Sequence, residues 1–174
     1  MAITKRFKET FEYTGEDVEK LKKVALACDH TGVELKKAIM VVLQKQGYAI
    51  IDVGVNCEES IDYPDIVLPF CQQVLQEDVL GIILCGTGIG VSITANKVLG
   101  IRAALCHNEY TARMSRMHND ANVLAMGARV LGIEVAIAIT EAFLATEFSG
   151  GRHQRRIDKI SELEMNAREG KGLK

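Results

Sequence analysis

With 174 residues, 48% of them hydrophobic and 25% charged, the chain has material for one good core and too little length for two comfortable domains. A formal charge of -2 argues against nucleic acid as a partner, five cysteines without regular spacing argue against a disulfide scaffold, and no long uncharged run argues for a membrane span. A reduced, cytoplasmic, globular protein is expected.

Residues 1–23 read as a polar N-terminal extension with Phe7, Phe11 and Tyr13 scattered through it and a short helix from Glu16. Val24 to Cys28 is an apolar run of strand character that ends in Asp29 and His30. From Val33 the pattern changes, because Leu35, Ile39, Val42 and Leu43 fall on one helical face, and Gly47 stops that helix. Ala49 to Val53 is a second strand, followed by a loop over 54–65 with Glu58, Glu59, Asp62, Tyr63 and Pro64. Pro64 leads into a helix whose apolar positions include Ile66, Val67, Phe70, Val74 and Leu75.

The next stretch runs from Leu80 into Cys85, passes Gly86, Thr87, Gly88, Ile89 and Gly90, and takes up helical spacing, so it reads as strand, glycine loop and helix. Ile101 to Cys106 is a fourth strand, Tyr110 to about Met117 a helix, and Asn122 to Met126 a fifth strand. Gly132 to about Thr146 is a long apolar helix and Arg152 to Arg168 a final amphipathic one. Five alternations of strand and helix predict an α/β fold, a doubly wound five-stranded parallel sheet with helices on both faces.

In open parallel sheets, ligands bind beyond the carboxyl ends of the strands. The residues expected there are Asp29 and His30, Cys85 to Gly90, His107, and the segment from His118 to Asp120 before the fifth strand. Packing does not ask for acid, imidazole and thiol at successive strand ends. A glycine loop opening a helix leaves backbone N–H groups without partners, which suits an anion, and the same field biases a thiol placed there towards thiolate. Cys85 is therefore the first candidate for reactive chemistry. Cys28, beside the negative Asp29, reads as core.

Other glycine-loop readings fail on single positions. The dinucleotide fingerprint needs Gly where Val91 stands, and the nucleotide-hydrolase loop needs a Lys where Val91 precedes Ser92. His107 and His118 do not make a metal-ligand spacing, and no G-x-S-x-G elbow occurs. Charge is unevenly placed: residues 24–151 hold 8 Lys and Arg against 14 Asp and Glu, a net of -6, whereas 152–174 hold 7 against 4, a net of +3. Within that basic end, Arg152 and Arg156 would share one face of the last helix and could grip a phosphate, with Arg129 a third contact.

Asp29-His30, ESIDYPD from Glu59, CGTGIGVSITANK from Cys85, GIRAALCHNEYTARMSRMHNDANVLAMGARV from Gly100 and TEFSGGRHQRR from Thr146 resemble type B ribose-5-phosphate isomerase, in the family of the galactose-6-phosphate and allose-6-phosphate isomerases. The resemblance runs from about Val24 to Ile160, leaving residues 1–23 and 161–174 outside it. It implies a Rossmann-like fold, a homodimer or dimer of dimers with shared active sites, a C-terminal helix reaching the partner subunit, and no metal or organic cofactor. It also implies interconversion of ribose 5-phosphate and ribulose 5-phosphate through an enediolate, in the pentose phosphate pathway.

Carried onto this chain, the resemblance makes Cys85 the base between carbons 1 and 2 and Thr87 its hydrogen-bonding neighbour. The amides around Gly86, Gly88 and Gly90 would hold the developing oxyanion. His118 would help open the sugar ring, Asp29 would handle hydroxyl protons, and Asn119 would hold the sugar. His30, Arg129, Arg152 and Arg156 would meet the phosphate, the last two from the neighbouring subunit. Thr31 and Val33 depart from the family's usual small residue and aromatic around Gly32, at the pocket rim. A hexose 6-phosphate specificity and a phosphosugar-binding module without turnover are the alternatives. A Cys85 sealed in the core, or turned away from Asp29 and His118, would overturn the reading.

Overall fold

The computed structural model describes residues 22–56 and 59–170. The helix from Glu16 and the placement of Phe7, Phe11 and Tyr13 lie outside the described residues, as does the tail beyond 170. Largely apolar runs form the sheet: β1 (Lys22–Cys28), β2 (Tyr48–Asp52), β3 (Leu80–Cys85), β4 (Ala103–Leu105) and β5 (Val123–Gly127), with most of the central β1, β3 and β5 buried on both faces and the edge strands β2 and β4 half-buried. All pairings are parallel, in the order β2-β1-β3-β5-β4. The helices are α1 (Val33–Lys45), α2 (Tyr63–Glu77), α3 (Ile89–Ala95), α4 (Glu109–Asn119), α5 (Ile133–Leu144) and α6 (Gln154–Arg168), with a short 3-10 turn at His30–Gly32. The expected doubly wound α/β architecture is what the chain adopts.

Successive side chains of a strand point to opposite faces, so each central strand feeds two cores. Val24, Leu26, Ile82, Leu84, Leu124 and Met126 pack with α1 and α5 on one side. Ala25, Ala27, Ile83, Cys85, Val123 and Ala125 pack with α2 and α3 on the other. Gly81 lets α2 close on the sheet, since a Cβ there would lie 2.5 Å from the Phe70 ring and 2.6 Å from Val74. Among the described residues no helix is long and apolar enough to cross a membrane.

Most boundaries lie within one or two residues of the sequence reading, and three differences have a visible cause. β1 begins at Lys22, whose backbone pairs with Tyr48. β4 is shorter than the apolar run because side chains take its backbone groups: Asn122 Oδ1 accepts from Arg102 N–H at 2.8 Å, and Asn96 pairs with both N–H and C=O of Ala103 at 2.9 and 2.8 Å. That blunts an edge strand. The last helix begins at Gln154, since Gly150 and Gly151, both left-handed at φ 61° and 55°, hold residues 151–153 in a turn. Arg152 therefore lies ahead of the helix and does not share a helical face with Arg156.

Candidate functional site

β2 lies to one side of β1 and β3 to the other, so the chain's winding reverses between β1 and β3, and a crevice opens at their carboxyl ends. Asp29 leaves β1 and Cys85 closes β3. Cys28 pairs with Leu84, and Asp29 N–H donates to Leu84 O at 3.1 Å, so the register sets Asp29 beside Cys85, about 4.8 Å away across the sheet. Cys85 is 5% exposed, with its side chain on the α2–α3 side, and its Sγ accepts the N–H of Gly88 at 3.1 Å. Gly88 sits at φ 77°, and a Cβ there would meet Leu105 Cδ1 at 2.6 Å and the Met126 carbonyl carbon at 2.8 Å. Only glycine turns here and still aims its amide at sulfur. Ile89 N–H donates to Thr87 Oγ1 at 3.3 Å.

Gly86 behaves differently. A Cβ there would find nothing nearer than Arg129 Cδ and Thr31 Oγ1, both at 3.6 Å, so the turn itself has room for a side chain at Gly86. Arg129 is exposed beside the glycine loop, its N–H bonded to Gly86 O at 3.0 Å. Asp29 is 6% exposed, and its Oδ1 accepts from Thr31 N–H at 2.8 Å and Thr31 Oγ1–H at 2.6 Å. His30 Nδ1 accepts the N–H of Ile61 at 3.4 Å, which leaves its Nε2 as the donor. His107 is exposed beyond the edge strand β4.

His118 and Asn119 do not join this rim within one chain. α4 leaves the carboxyl end of β4 and runs back to the amino end of β5, so its last residues lie at the opposite edge of the sheet, roughly 15 Å away along a five-residue strand. Residues that precede a parallel strand stand at its amino end; the expected gathering on one edge is corrected for these two. There His118 stacks on His153, ring centroids 4.2 Å apart and planes within 5°. The Arg152 Nε–H points at His153 Nε2 over 3.5 Å, and Ser149 N–H donates to Met117 O at 3.1 Å, tying the glycine turn to the end of α4. Burial, then the neighbouring His118, Arg152 and Arg156, hold His153 below the usual imidazole range. Arg152 and Arg156 are both exposed. One edge of the chain thus carries sulfur, carboxylate and backbone donors, and the other imidazoles and guanidiniums, so within a single chain Cys85 stands beside Asp29 but is turned away from His118, and the expectation that all three meet on one rim of one chain fails.

A thiol beside a carboxylate, with backbone N–H groups and an arginine around it, suits proton movement next to a carbonyl on a phosphorylated substrate. The family described as Ribose/Galactose Isomerase matches residues 24–160. The chain belongs to that family. Ribose-5-phosphate isomerase B of Escherichia coli is 46% identical over 146 residues, covering 83% of this chain and 98% of the relative. The solved ribose-5-phosphate isomerase B of Clostridium thermocellum is 50% identical with a TM-score of 0.81, covering 83% of this chain and 99% of that one. That of Mycoplasma genitalium with bound ribulose-5-phosphate is 42% identical with a TM-score of 0.79, covering 82% and 96%.

In this ribose/galactose isomerase family member, sequence reasoning passed over three residues at the two edges. Thr31, read as a rim departure, holds Asp29; an Asp followed two residues later by Thr is the spacing of a local side-chain turn and was a usable signal. Tyr63 packs on the glycine loop, its ring 2.6 to 2.9 Å from where a Gly90 Cβ would stand. His153 carries the stack under His118, and nothing in the local pattern distinguishes it from its basic neighbours.

Proposed function

We propose that the chain interconverts ribose 5-phosphate and ribulose 5-phosphate at a site completed by two copies of itself. The observation that carries this reading is the Cys85 sulfur, held by the Gly88 amide beside Asp29 at the point where the sheet's winding reverses. The family's relatives named for this reaction support it, among them one whose structure holds ribulose-5-phosphate. A partner's amino edge, laid against this carboxyl edge, would bring His118, Asn119, Arg152 and Arg156 to the sugar, since no side chain spans a sheet's height.

In that site His118 of the partner subunit opens the furanose: a proton passes to the ring oxygen as the hydroxyl proton on carbon 1 leaves, giving the aldehyde. The Cys85 thiolate then takes the proton from carbon 2, and the electron pair moves into a carbon 1–carbon 2 double bond as negative charge grows on the carbonyl oxygen. Amides of the Gly86–Gly90 loop stabilise that oxygen, a contribution worth about 3 kcal/mol for one good donor. Asp29, one oxygen held by Thr31, moves a proton between the oxygens on carbons 1 and 2, and Cys85 returns its proton to carbon 1. His30 and Arg129, with Arg152 and Arg156 of the partner subunit, take the phosphate. Such a step belongs to pentose phosphate interconversion in the cytoplasm.

The test is deuterium uptake from solvent at carbon 2, followed by NMR across pentose and hexose phosphates. Exchange and ketose formation from ribose 5-phosphate are expected in the natural chain and absent in Cys85→Ala. A strong preference for a hexose phosphate would replace the pentose assignment, and tight binding without exchange would reduce the protein to a phosphosugar-binding module.

A further inference from the structure

Two arginines converge on the turn that ends α4, immediately after His118 and Asn119. Asp120 adopts the left-handed conformation at φ 43°, ψ 44°, and the N–H of Ala121 closes the cap on Ser115 O at 3.0 Å. Aspartate is tolerated in this conformation, as Asp78 shows at the end of α2 with φ 51°, so the backbone alone does not account for how the Asp120 side chain is held. Its carboxylate is held on both oxygens: Oδ1 accepts from Arg116 Nη1 and Oδ2 accepts from Arg102 Nη2, both at 2.8 Å. Arg102 also donates to the last carbonyls of the turn, Nε to Asn119 O at 2.9 Å and Nη2 to Asp120 O at 2.7 Å. Arg116 Nη1 reaches Ala121 O at 2.7 Å.

The same guanidiniums reach the elements on either side. Arg102 immediately precedes β4. Arg116 lies over the Phe143 ring at 5.7 Å and donates from Nε to Thr146 O at 3.3 Å, just past α5, on the segment that continues to Arg152 and His153. With side chains 26% and 12% exposed, the two arginines are shielded enough for geometry to matter more than at an open surface. A helix stop needs none of this.

We propose that Asp120, clamped between Arg102 and Arg116, is a positioning residue for the sugar-handling pair His118 and Asn119: it fixes the azimuth of the last turn of α4 so that His118 stays stacked on His153. The inference rests on the reading that His118 opens the sugar ring. Asp120 touches no substrate; it acts through the turn.

Asp120→Gly tests it, because glycine keeps the left-handed backbone and removes only the carboxylate. Proton NMR of the full chain reads the stack directly, since the ring current of His153 displaces the carbon-bound protons of His118, and its resonances are assigned with single histidine variants. In Asp120→Gly the His118 resonances are expected to move towards unstacked positions while those of His30 and His107 stay. In the same variant kcat from ribose 5-phosphate is expected to fall about tenfold or more with KM little changed, as misplacement of a working group costs. Arg102→Met, which keeps the aliphatic stem, is expected to repeat both effects and covers the case of a poorly folding glycine variant. Unmoved His118 resonances, or moved resonances with full kcat, would overturn the clamp. A His118→Ala variant with full turnover would instead remove the ring-opening role, whatever the spectra of Asp120→Gly show.

Discussion

Cys28 and Cys85 end neighbouring strands and meet opposite surroundings. Burial pushes the Cys28 thiol up to about 11 and the Cys71 thiol up to about 12, and it raises Cys106 as well, whereas Cys85 is the thiol that accepts a backbone N–H at the glycine loop. Brief alkylation of the native protein should therefore label Cys85 and spare Cys28, Cys71 and Cys106, with ribose 5-phosphate slowing the labelling; peptide mass mapping reads the outcome. Cys85→Ser should lower kcat at least about a hundredfold without changing the thermal midpoint, the usual scale for a lost general base. The two glycines that begin the loop should part company. Gly88→Ala should cost about 1–3 kcal/mol through overpacking and its positive φ, while Gly86→Ala should leave the urea midpoint unchanged.

The elements divide by sheet edge. Loops after β1 and β3 and the start of α3 carry the thiol, the carboxylate and the backbone donors, while the end of α4 and the approach to α6 carry imidazole and guanidinium. If two copies complete each site, Arg152→Ala/Arg156→Ala subunits mixed with Cys85→Ala subunits should regain activity that neither has alone. In a random equal mixture half the pairs are mixed and each holds one intact site, so about a quarter of natural activity is expected. Gel filtration with a tag on one variant verifies the mixing, and its success without rescue would count against the shared site. At this scale the sequence pattern was readable for strands and helices, because apolar periodicity is local. It misplaced His118, although the parallel sheet read from the same pattern already puts a residue that precedes a strand at that strand's amino end.

At the scale of the whole molecule, one buried polar commitment joins the apolar core. Lys36 is fully buried, and its Nζ donates to both Asp52 oxygens at 2.7 Å, to Asn56 Oδ1 at 2.9 Å and to Val55 O at 3.0 Å, fastening the end of β2 and its following loop to α1. Lys36→Met would strand those acceptors, with an expected loss of about 3–5 kcal/mol in urea unfolding. The raised thiols give a sign for alkaline pH. Cys28 and Cys71 stay protonated in the fold while unfolded thiols ionise at about pH 8.5, so their stability is present below that pH and lost as pH rises towards 11 and 12. Cys71→Ala should flatten that alkaline decline in unfolding free energy; an unchanged slope would show that other groups cause it.

Element order, the parallel doubly wound sheet and the glycine loop with its strand-end cysteine were all determined by the sequence alone, since each rests on neighbours a few residues apart. Only the tertiary structure decided that His153 underlies His118, that Arg152 stands outside its helix, and that Arg102 and Arg116 close on Asp120. Those facts depend on strand order, on turn geometry and on which residues distant in sequence come into register, and no local pattern encodes them.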